Sequence, residues 1–103
     1  MFKLENVKAA TKHPKLGVFD KIYHIECDLT DEQEIQLGEW LSTNCTKNFI
    51  MNKRTDGIFA GGCTNNTWAW KERHIHGPFD IHRQYYIKLH KPDITLFELV
   101  WLT

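Results

Sequence analysis

The stretch Tyr23-His24-Ile25-Glu26-Cys27-Asp28-Leu29-Thr30-Asp31-Glu32-Gln33 changes its periodicity part-way, and that change decides the fold class. As far as Leu29 the period is two. Tyr23, Ile25, Cys27 and Leu29 fall on one side, and His24, Glu26 and Asp28 on the other. Residues 21–29 are therefore expected to form a strand with one buried face. At Thr30 the pattern turns helical. Thr30-x-x-Gln33 fits a capping box, in which each side chain satisfies the other's free backbone N–H. Asp31, Glu32 and Glu34 put negative charge at the positive end of the helix dipole. Ile35, Leu37, Trp40 and Leu41 supply the apolar face, and Ser42-Thr43-Asn44 ends the helix.

Outward from this strand–helix unit, Phe2 and Leu4 alternate with Lys3 and Glu5, which suggests a short strand, and Lys8 to Gly17 reads as a loop. After the helix, Asn48 to Met51 reads as a strand. A loop at Lys53–Gly57 follows, containing the turn pair Asp56-Gly57. Ile58 to Ala60 forms the return strand, with Gly61-Gly62 marking a bulge or a close backbone approach. Asn65-Asn66 is a further turn signal, and Trp68-Ala69-Trp70 a further strand. Residues 72–82 are polar and broken by Gly77-Pro78, so they read as a surface loop. Tyr85 to Leu89 is a strand. Pro92 suits the first turn of a terminal helix, along which Ile94, Phe97 and Trp101 recur at helical spacing. A final strand competes for that run, but its apolar and polar positions do not alternate. The expectation is an α+β fold over a single domain, 1–103: one antiparallel sheet with two helices packed on one face, a ferredoxin-like variant.

Composition limits the function classes. The 103 residues carry 13 Lys and Arg against 13 Asp and Glu, so the chain has no general attraction for nucleic acid or anionic membranes. Three cysteines, Cys27, Cys45 and Cys63, form no close pair, which points to a reducing, cytoplasmic setting without a disulfide scaffold. No stretch approaches a membrane-spanning length.

The most chemical feature is His74-Ile75-His76-Gly77-Pro78-Phe79-Asp80-Ile81-His82. Residues at i and i+2 of an extended chain share a side. His74, His76, Asp80 and His82 are therefore candidate ligands for Zn²⁺, and with it for a small metal-dependent enzyme. His24 with Glu26 and His76 with Asp80 are candidate acid–base pairs. Cys63 after Gly61-Gly62 is a candidate nucleophile, set against the commoner reading of a small buried apolar residue. No G-x-S-x-G, P-loop or G-x-G-x-x-G motif occurs, which argues against an enzyme. Trp68 and Trp70 beside Lys71, Arg73, His74 and His76 are the pattern a single-stranded nucleic-acid binder would need. The same cluster suits a protein-binding module, because Trp, Tyr and Arg dominate interface hot spots. On that reading the contact residues are Trp68, Trp70, Arg73, His74, His76, His82 and Arg83.

At the C-terminus, Tyr85-Tyr86-Ile87-Lys88-Leu89 followed by Leu96-Phe97-Glu98-Leu99-Val100-Trp101 resembles the ends of small accessory proteins of tailed bacteriophages. The resemblance covers under a fifth of the chain. It implies a terminal helix and a protein that binds and redirects a host or phage macromolecule in the host cytoplasm. It implies no catalytic residue.

Overall fold

The computed structural model of the chain describes residues 2–55, 58–64, 67–68 and 83–103. Six strands and two helices follow one another: β1 (Val7–Ala10), β2 (Lys21–Ile25), α1 (Asp31–Asn44), β3 (Ile50–Thr55), β4 (Ile58–Thr64), β5 (Thr67–Trp68), β6 (Arg83–Leu89) and α2 (Lys91–Trp101). The strands make one sheet in the order β1-β2-β6-β3-β4-β5, antiparallel at every pairing. β6 lies between β2 and β3 and is antiparallel to both, so those two strands run parallel and α1 is their crossover. This split βαβ unit is consistent with a ferredoxin-like variant.

α1 starts where its sequence says. Gln33 N donates to Thr30 Oγ1 at 3.1 Å and Thr30 N to Gln33 Oε1 at 3.0 Å, which completes the capping box. Pro92 sits in the first turn of α2, where its missing N–H costs nothing. The two helices share one face of the sheet. Leu37 and Leu41 of α1 and Phe97 and Trp101 of α2 are fully buried against Tyr23, Ile25, Met51, Tyr85, Ile87 and Leu89. Trp40 meets both Phe97 and Trp101, with ring centroids 6.2 and 5.8 Å apart, and so joins helix to helix.

Several boundaries differ from those expected. Phe2 and Leu4 do pack inward, Phe2 edge-on to Trp101 at 5.0 Å. Yet this segment is not a strand: Leu4 N donates to Trp101 O at 2.9 Å, at the end of α2. Alternation reports which side chains are buried, not whether a partner strand lies alongside. The first strand is Val7–Ala10 instead, entered through Asn6 at φ 53°. β2 ends at Ile25, four residues early, because Cys27 to Leu29 turn away to start α1. Lys53 belongs to β3 rather than to a loop, and Thr55 pairs with Ile58 across a two-residue link. That length is what an Asp-Gly hairpin requires, although Asp56 and Gly57 lie outside the described residues.

The bulge expected at the glycine pair is present. Lys53 pairs with Gly61 and Arg54 with Phe59, so Ala60 is the extra residue, and Gly61 takes φ 135°. A Cβ on Gly62 would stand 2.5 Å from Met51 O, the close backbone approach that the pair signalled. The turn at Asn65-Asn66, the strand beyond Trp68 and the loop 72–82 lie outside the described residues.

Candidate binding face

The described strands carry six cations, Lys8, Lys21, Lys53, Arg54, Arg83 and Lys88, and no Asp or Glu. The helices are the reverse, with Asp31, Glu32, Glu34, Glu39, Asp93 and Glu98 against Lys91 alone. The described strands thus form a basic layer and the helices an acidic one. The period of two in the strands divides the basic layer again.

Lys21, Lys53 and Arg83 point toward the helices and meet their acids. Lys21 Nζ donates to Glu98 Oε2 at 2.5 Å, and Tyr23 OH to the same oxygen at 2.6 Å. These bonds hold the Glu98 carboxyl below its usual range. Glu34 is buried beneath α1. It accepts from Lys53 Nζ at 2.9 Å and from Tyr85 OH, with Arg83 Nη1 3.5 Å away. Burial, with Glu34 as the hydrogen-bond partner, raises the Tyr85 phenol far above its ordinary value. Arg83 Nη1 also donates to Leu29 O at 2.5 Å. Arg83, expected as a contact residue, therefore ties β6 to the start of α1.

Lys8, Arg54 and Lys88 belong to the opposite face, which carries no helix among the described residues. The register sets one row across five strands: Lys8, His24, Tyr86, Asn52 and Gly62. At its centre the His24 and Tyr86 rings stack, with centroids 4.5 Å apart and planes 2° from parallel. The segment after β1 folds back over the row and sets Lys15 Nζ 5.0 Å from the Tyr86 centroid, within cation–π range. Its shape is held by a bond from Lys15 N to His13 Nδ1 at 3.0 Å. Lys8, Ala10, His13, Ile22, His24 and Tyr86 line a cleft of about 170 Å³ there. That is below the roughly 300–1,000 Å³ of a drug-sized ligand site and suits one planar ring. His24 Nε2 is buried and has no hydrogen-bond partner among the described residues.

At another concavity among the described residues the polar groups are engaged in the fold's own bonds. It lies beside the start of α2, measures about 420 Å³, and is lined by Asp20, Lys47 and His90. There Asp20 accepts from Lys91 N at 2.7 Å, and the nearby Asp93 accepts from Thr46 N and Lys47 N at 2.8 and 3.0 Å. The cysteines are poor nucleophiles. Cys63 is buried with its thiol raised by desolvation, and burial pushes Cys45 up to about 12.

Of the residues the sequence singled out, Trp68 is in β5, where its backbone pairs with Cys63. Trp70, Arg73, His74, His76, Asp80 and His82 lie outside the described residues, as does the metal quartet they include. The candidate pair His24 and Glu26 is brought to 3.7 Å, Nδ1 to Oε1, too far for a hydrogen bond. Lys8, Lys15, Tyr86 and Lys88 were missed as a group. Nothing local groups them: Lys8 falls in a stretch that reads as a loop, and the expected strand 21–29 contains Glu26 and Asp28, so strands without acids emerge only with the observed limits. No protein family matches the chain, and neither does any curated protein or solved structure.

Proposed function

We propose that this protein is a binding module that holds an anionic macromolecule on the sheet face opposite α1 and α2. The observation that carries the reading is the segregation of charge between layers. Cations on the helix side are matched by Glu34 and Glu98 at hydrogen-bond distance. Those on the other side, Lys8 and Lys88, meet no helix carboxylate among the described residues, and the acid beside the row, Glu26, stands just past the end of β2, 3.7 Å from His24 Nδ1. A local field of one sign steers an oppositely charged partner even when the net charge is zero. The cleft on this face is too small for most substrates, which favours a binding role over a catalytic one. For an accessory protein of a bacteriophage, as the C-terminal resemblance implies, the partner would be a host or phage macromolecule.

Retention on immobilised heparin, a generic polyanion, tests the reading. Wild-type protein is expected to bind at low salt and to elute as salt rises, because screening weakens surface charge. Lys8→Glu with Lys88→Glu should abolish retention, while Lys91→Glu on α2 should leave it unchanged. Equal loss in both variants would show that no particular face is used.

A further inference from the structure

We propose that the occupant of the sheet face opposite α1 and α2 is single-stranded nucleic acid, with one unstacked base on the Tyr86–His24 pair and flanking phosphates on Lys8, Lys15 and Lys88. The inference rests on the anionic-partner reading and goes beyond it by naming the partner's chemistry. Charge alone would suit an acidic protein or a duplex equally well. The aromatic pair distinguishes them. Its rings lie parallel within the row, beside a slot of about 170 Å³. An unpaired base can enter such a slot, whereas the bases of a duplex are stacked on one another and an acidic side chain gains nothing from a ring face. Sheets that bind single strands stack bases on aromatic side chains and track the backbone with cations.

The row supplies both in register. Neighbouring strands are about 4.8 Å apart, so the five positions from Lys8 to Gly62 span about 19 Å, enough for a short run of nucleotides. Lys8 lies on one side of the rings in this row, and Asn52, an amide able to reach a base edge, on the other. Lys88 is two residues beyond Tyr86 on the same face of β6. Gly62 ends the row without a side chain, next to Asn52 Oδ1. In the unbound protein the Lys15 ammonium covers Tyr86. An arriving base would take the ring face, and Lys15, on an exposed loop, would turn to the adjoining phosphate.

Fluorescence anisotropy with a labelled oligothymidylate of about ten nucleotides, within the 4–16 that one small domain covers, tests this. An abasic strand of equal length and the matching duplex are run beside it. The single strand is expected to bind more tightly than the other two. Tyr86→Ala should weaken it about tenfold, as loss of one stacked base does, and Tyr86→Phe should restore it. Lys8→Glu with Lys88→Glu should weaken all three probes alike. Equal affinity for the base-bearing and abasic strands would overturn the proposal. So would tighter binding of the duplex. Retention on heparin without binding to any oligonucleotide would overturn it too, and would leave an acidic protein as the partner. Failure on heparin as well would overturn both readings.

Discussion

Replacing Glu34 by Ala probes the deepest polar contact of the fold. The Glu34 carboxylate, its side chain 6% exposed, holds Lys53, 12% exposed, and Tyr85 under α1. Two hydrogen bonds to a buried charge contribute about 1.5–3 kcal/mol each. Removing one partner of a buried ion pair costs about 3–5 kcal/mol, because the other charge stays behind without it. The two routes agree on about 3–5 kcal/mol, against a total stability of about 5–15 kcal/mol for a small domain. At about 4–8 °C per kcal/mol, the melting temperature should fall by about 12 °C or more. Urea unfolding at neutral pH, followed by tryptophan fluorescence, gives the value directly. Glu34→Gln keeps an acceptor for Tyr85 and should fall between wild type and Glu34→Ala. Glu34→Met with Lys53→Met removes both charges and should recover much of the loss, because a packed apolar pair avoids the desolvation cost. A Glu34→Ala variant within about 1 kcal/mol of wild type would refute the reasoning, since water would then be meeting the cations that Glu34 is taken to neutralise.

Three further outcomes are expected. Tyr23 and Tyr85 both hold their protons well above the ordinary phenol value, by burial and then by their hydrogen bonds to Glu98 and Glu34. Above about pH 10 the unfolded chain releases those protons and the native one does not, so stability should fall as pH rises; phenolate absorbance from these two residues should appear only with unfolding. Thr30→Ala removes the Oγ1 acceptor of the Gln33 N–H, while the bond from its own N–H to Gln33 Oε1 can remain, and should cost about 1 kcal/mol in the same urea experiment, with no change in heparin retention. Gly62→Ala places a methyl 2.5 Å from Met51 O, a backbone atom that cannot move aside without disturbing β3, and should destabilise by about 1–3 kcal/mol.

Local physics was legible in the sequence. The capping box at Thr30, the proline in the first turn of α2 and the bulge at Gly61 each depend on a few neighbouring residues, and each is present. The α+β class and both helices on one face followed from where the period changes from two to that of a helix. Strand limits were less legible. Phe2 and Leu4 alternate as a strand would, yet they pack on α2, because burial and pairing are separate conditions and only the first leaves a periodic trace.

The candidate site belongs almost wholly to the tertiary structure. Lys8, His24, Tyr86 and Asn52 are far apart in the chain, and the sheet register alone sets them in a row. The sequence determined that Asp31, Glu32 and Glu34 would open a helix, since capping is local; that the strands would hold cations and no acids depended on strand limits it did not give. Only the fold decided which cations would meet a helix carboxylate and which would not. In a strand, a side chain's face is fixed by parity and its neighbours by pairing with residues tens of positions away.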